Sequence, residues 1–84
     1  MVKKELSETV IKRYNIVNYR YIGEGVKMEY YYCYSKYNGE ERILLLQKSK
    51  TIDYVTAIFS IPKELEEGLL AAIIKIRVGI PDDF

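Results

Sequence analysis

The chain has 84 residues, 49% of them hydrophobic and 30% charged, which fits one small globular domain over residues 1–84 and argues against a disordered chain. The net charge is +1, His is absent and Cys33 is the single cysteine. These exclude an internal disulfide, a His- or Cys-rich metal site and imidazole-based nucleophilic catalysis.

Charge is unevenly spread: residues 1–50 carry ten Lys and Arg against six Glu, and residues 51–84 carry three against six Asp and Glu. The basic half is too mild to announce a nucleic-acid partner unaided. The longest uncharged apolar run, residues 68–74, is too short to cross a bilayer, and Val2-Lys3-Lys4-Glu5 does not open a signal peptide. With the lone thiol, this predicts a cytoplasmic protein. Abundant Lys, Glu and Ile beside scarce Asn and Gln match the compositional bias of thermophile proteins.

Val2, Leu6 and Val10 recur every four residues, which predicts a short helix over 2–13, with an early strand as the alternative. Residues 15–22 read as a strand and Gly23-Glu24-Gly25 as a turn. A two-residue loop at Glu24-Gly25 would pair Tyr21 with Met28, Tyr19 with Tyr30, Val17 with Tyr32, Arg20 with Glu29 and Ile16 with Cys33.

Asn38-Gly39 is the strongest hairpin signal in the chain. It pairs Tyr34 with Ile43, Tyr32 with Leu45, Cys33 with Leu44, Tyr31 with Leu46 and Glu29 with Lys48. Together the two turns predict a ladder of Arg20, Glu29 and Lys48. Residues 52–61 form a fourth strand, with Val55, Ala57, Phe59 and Ile61 on the Tyr32 side and Ile58 and Thr56 on the Leu44 side.

Pro62 suits the first position of a helix, and Glu64, Glu66 and Glu67 favour its positive end. Leu65, Leu69, Ala72, Ile73 and Ile76 make its apolar stripe. Lys75 and Arg77 fall near its end, Gly79 suits the C′ position, and Pro81 prevents continuation. The predicted fold is α+β: a four-stranded antiparallel meander, a C-terminal helix packed on one face, and a short N-terminal helix.

This arrangement leaves a second sheet face to cover. Ile16, Cys33, Leu44, Leu46 and Ile58 line it, and Leu70 and Ile74 point away from the helix stripe. An uncovered apolar patch of this kind is the mark of an interface, and the expected partner is a second copy of the chain. The covering alternative is the N-terminal helix.

Tyrosines interspersed with cations suggest a surface for unpaired bases: Tyr31 and Tyr54, with Arg20, Lys27, Arg42, Lys48 and Lys50. The structural alternative, that Tyr is a good strand residue, is favoured because Tyr19, Tyr21, Tyr30, Tyr32 and Tyr34 are assigned to the helix-covered face. Gly23-Glu24-Gly25 joins strands and lacks a third glycine, so it is no phosphate loop. No acid, base and nucleophile converge, no cofactor or metal is implied, and Cys33 reads as a small buried hydrophobe.

Ser60-Ile61-Pro62-Lys63-Glu64-Leu65 resembles the strand-to-helix step of AbrB/MazE-type swapped-hairpin and ribbon-helix-helix regulators over those six residues. The long Tyr-rich hairpin before it departs from those short folds. A four-strand meander followed by a helix is similar in arrangement to a class of dimeric single-strand binders, which implies a dimer and a nucleic-acid ligand. The expectation is a non-catalytic homodimeric binding module, nucleic acid its first ligand class, with a protein-docking subunit as the alternative.

Overall fold

The structure, a computed structural model, describes residues 5–70. A helix α1 (Glu8–Arg13) precedes four strands: β1 (Ile16–Glu24), β2 (Met28–Tyr37), β3 (Glu40–Ser49) and β4 (Val55–Pro62). A 3-10 turn, Lys63–Leu65, continues as α-helix through residue 70. The strands lie in chain order in one antiparallel sheet. This is the predicted α+β meander with a helix at either end.

The central hairpin follows the turn chemistry. Asn38 and Gly39 take φ of 52° and 80°, the left-handed pair that a two-residue turn needs to match strand twist. Every β2–β3 pair anticipated from that dipeptide is present, including Tyr31 with Leu46, Cys33 with Leu44 and Glu29 with Lys48.

The β1–β2 register differs from the expected one. Tyr19 lies opposite Cys33, Arg20 opposite Tyr32 and Tyr21 opposite Tyr31. The reversal falls later than Glu24-Gly25, because Glu24 itself is paired with Glu29 and the Gly25 N–H donates to the Met28 carbonyl at 2.8 Å. Register shifts between Ile16 and Asn18 and between Tyr21 and Gly23 leave Val17 and Ile22 as extra residues, and Gly23 there has φ of 150°. The net slip in mid-strand is an odd number of residues, so the side chains exchange faces. Tyr19 and Tyr21 join Tyr31 and Cys33, Val17 is exposed, and the Arg20–Glu29–Lys48 ladder keeps only its Glu29–Lys48 rung.

A second slip divides β4. Leu45 is paired with Phe59 but Leu46 with Ala57, so Ile58 is the extra residue. Phe59 and Ile61 therefore keep the expected face, whereas Val55 and Ala57 pack with Leu44 and Leu46. Ile58 packs on the opposite face with Tyr30 and Leu45, so it does not join the second-face row. The strand also starts later than predicted: Ile52 sits in the preceding loop, where the Ser49 Oγ accepts from the Thr51 and Ile52 N–H groups.

The second face is closed by the chain's own N-terminal segment. Leu6 and Val10 pack with Ile16, Tyr31, Cys33, Leu44 and Leu46 in one buried cluster. α1 is shorter than predicted and is capped by Ser7, whose side chain accepts from the Val10 N–H at 3.3 Å. Asn15, with φ of 54°, turns the chain from helix into strand. The Ser35 Oγ donates to the Tyr14 carbonyl at 2.6 Å and the Lys36 N–H to the Asn15 carbonyl at 3.1 Å, which holds the helix end against β2.

The first face carries a second cluster of Tyr30, Ile43, Leu45 and Leu69. Leu69 is the one buried residue of the described stripe, and Leu65 is exposed. Pro62 is the last strand residue and caps the turn, so the helix starts at Lys63. Ala72, Ile73, Ile74, Lys75, Ile76, Arg77, Gly79 and Pro81 lie outside the described residues.

Candidate functional site

The residues proposed to read nucleic acid do not converge. Tyr31 has no exposed surface: its ring meets Tyr19 and Tyr21 edge-on, with centroids at 6.0 and 5.6 Å, so no base can stack on it. Burial, then the neighbouring Glu29 carboxylate that accepts its hydroxyl, raises its pKa well above the ordinary phenol value. Arg42 donates through Nε to the Ser60 Oγ and through its terminal nitrogen to the Ser60 carbonyl, both at 3.0 Å. Lys48 donates to the Glu5 carbonyl, and Lys50 donates to the Gly25 carbonyl and is ion-paired with Glu24. Lys27 and Tyr54 are exposed at the β1–β2 and β3–β4 connections.

Among the interface candidates, Ile16, Cys33, Leu44 and Leu46 are buried under α1 and Ile58 packs in the first-face cluster. The first four are covered because α1 and Leu6 occupy the second face. Leu70 is 44% exposed, and Ile74 lies outside the described residues.

Two surfaces among the described residues bear on binding. The first is a trough of about 440 Å³ lined by Asn18, Tyr19, Arg20, Tyr32 and Tyr34. Tyr32 and Tyr34 share a face of β2, with Arg20 and Asn18 opposite them on β1. The Arg20 guanidinium carbon lies 5.8 Å from the Tyr32 ring centre, and the Lys63 Nζ lies 6.0 Å from that of Tyr34. The Tyr32 hydroxyl donates to Glu66 and the Tyr34 hydroxyl to Glu41. Burial, followed by that Glu66 bond, pushes the Tyr32 phenol up to about 12, and the Glu41 bond raises Tyr34.

Sequence reading found Arg20 but placed Tyr32 and Tyr34 in the covered core and passed over Asn18 and Lys63. The correct β1 register would have placed Asn18 and Arg20 beside the tyrosines. Nothing in the sequence carries Lys63 over Tyr34 except the path of the chain after Pro62.

The second surface is the β4 edge. Among the described residues nothing pairs with its outer side. A groove of about 510 Å³ lies beside it, lined by Phe59, Ile61, Leu65 and Leu69 with Glu64 and Glu67 at the rim. Phe59 and Leu65 are both exposed there. No protein-family model, no curated protein and no solved structure matches the chain.

Proposed function

We propose that this chain is a non-catalytic homodimeric binding module, assembled edge to edge through β4. The observation that carries this reading is the contrast between the two sheet edges. β1 is guarded in the way natural proteins guard an edge: two bulges, Gly23, and the charges of Arg20 and Glu24. β4 carries one bulge, at Ile58, but no charge and no glycine. Its eight residues, VTAIFSIP, are uncharged, and its one proline, Pro62, stands at the end of the strand.

Antiparallel pairing of β4 with its copy is isologous, brings no like charges opposite each other along the strand, and lets Phe59 and Leu65 leave water. Closure of the second face by α1 moves the expected dimer from that face to this edge. The protein-contact reading is the better supported one, because Tyr31 is closed to bases and Arg42, Lys48 and Lys50 are held by the fold.

Light scattering at micromolar concentration should give about twice the 9.9 kDa chain mass. Phe59→Lys, at a position already 37% exposed, should return a folded monomer. A wild-type monomer at that concentration, or an unchanged dimer in Phe59→Lys, refutes assembly through β4.

A further inference from the structure

Asn18, Tyr19, Arg20, Tyr32 and Tyr34 line the trough on the first face, and Arg20 is the one ionised side chain among them. All three phenol hydroxyls are engaged with other groups. Tyr19 accepts from the Leu6 N–H at 3.3 Å, Tyr32 donates to Glu66 and Tyr34 donates to Glu41. Neither carboxylate is among the lining residues. Tyr32 and Tyr34 therefore offer the trough ring surface, with their polar ends already satisfied.

The polar groups left over are donors. The Asn18 Oδ1 accepts from the Tyr19 N–H at 2.9 Å, which leaves the amide NH2 to donate. The Arg20 guanidinium carbon lies 5.8 Å from the Tyr32 ring centre, and Arg20 forms no ion pair among the described residues. Asn18 and Arg20 alternate along β1 and lie opposite Tyr34 and Tyr32, so the two donors share one wall above the rings. Lys63, near the Tyr34 ring, lines a separate hollow with Glu40, Glu41 and Glu64.

We propose that this trough binds a carboxylate carried on a flat apolar body, with Arg20 taking both carboxylate oxygens and the Tyr32 and Tyr34 rings covering the body. The class follows from the groups present. One cation without an ion pair asks for one negative charge, and the planar guanidinium fork matches paired oxygens. A wall whose open groups only donate gives nothing to an amine, and ring surface favours an aromatic acid over a small one such as acetate. The volume of about 440 Å³ suits a small molecule. Contact with the Tyr32 ring holds Arg20 before any ligand arrives, which lowers the ordering cost of binding. The site is built on β1 and β2, with β3 between it and β4, so it stands whether or not β4 forms a dimer.

The test is an NMR titration of the Arg20 Nε–H and the Tyr32 and Tyr34 ring resonances with sodium benzoate, sodium acetate and sodium chloride at matched ionic strength. Benzoate should give saturable shifts at all three residues, acetate should saturate only at several-fold higher concentration, and chloride should not saturate. Arg20→Gln, at an exposed position, should weaken benzoate binding about tenfold, and Lys27→Gln should leave it unchanged. Benzoate shifts that stay linear and match chloride, equal affinity for acetate and benzoate, or benzoate binding that survives Arg20→Gln would each overturn the proposal.

Discussion

Several side chains in this sheet are held in their neutral form by burial. Cys33 has no exposed surface, and burial pushes its thiol from an ordinary 9.0 up to about 12. Tyr32 moves from 10.0 to about 12, first through burial and then through its bond to Glu66. Tyr31 moves the same way, further. In each case the unfolded chain releases the proton at lower pH than the folded one. The associated stability is therefore complete below about pH 9 and is lost as pH rises from there toward 12. Urea unfolding midpoints should be flat between pH 7 and 9 and fall steadily above that window; a midpoint that stays constant to pH 11 would contradict the burial of these groups. At this scale the sequence was informative where two residues face each other across the Asn38-Gly39 turn. Cys33 as a buried hydrophobe followed from composition alone. Tyr31 was misassigned as a base reader because its exposure depends on the helix α1, a separate element that precedes its strand by the whole of β1.

Each element succeeds or fails on its ends. α1 has only six residues, too few to be stable by propensity, so its Ser7 cap and the packing of Leu6 and Val10 hold it. Ser7→Ala should destabilise the protein by about 0.5–2 kcal/mol. The same substitution should speed reaction of Cys33 with a thiol reagent under native conditions, because α1 packs in the cluster that contains it. A labelling rate equal to wild type would mean that α1 does not shield the thiol. β1 shows the limit of turn-based register. Its pattern of Val, Tyr and Ile tolerates either face, and two extra residues, Val17 and Ile22, shift the phase along the strand. Only Gly23 hints at a bulge, and it reads equally as part of the turn. The Tyr32–Arg20 contact was hidden by that one uncertainty.

The described residues form one sheet with a separate apolar cluster on each face, an N-terminal cover over one and a C-terminal helix over the other. That architecture was legible because hydropathy period, the Asn38-Gly39 turn and Pro62 agree on where strands begin and end. The need for a cover on the second face was legible too; which chain supplies it was not, since a weak helix at residues 2–13 and a second protomer satisfy the same demand. Phe59→Lys separates these scales, because it should disrupt the proposed assembly through β4 while leaving both clusters, neither of which buries Phe59, intact.

Ile58 gives β4 a property unrelated to any single contact. Residues 57 and 59, two apart, face opposite sides of the sheet because Ile58 stands between them as an unmatched residue. Removing it would bring Ala57 and Phe59 into ordinary alternation, each still opposite its present partner. Loss of a residue further from the bulge would turn the residues between it and Ile58 to the opposite face. β4 thus contains one site where the chain can be shortened without rephasing either half. A single-residue deletion of Ile58 should fold, weakened by the loss of its packing on Tyr30 and Leu45, whereas deletion of Ser60, which turns Phe59 to the opposite face, should weaken the fold further; circular dichroism and urea unfolding of the two shortened chains would show it.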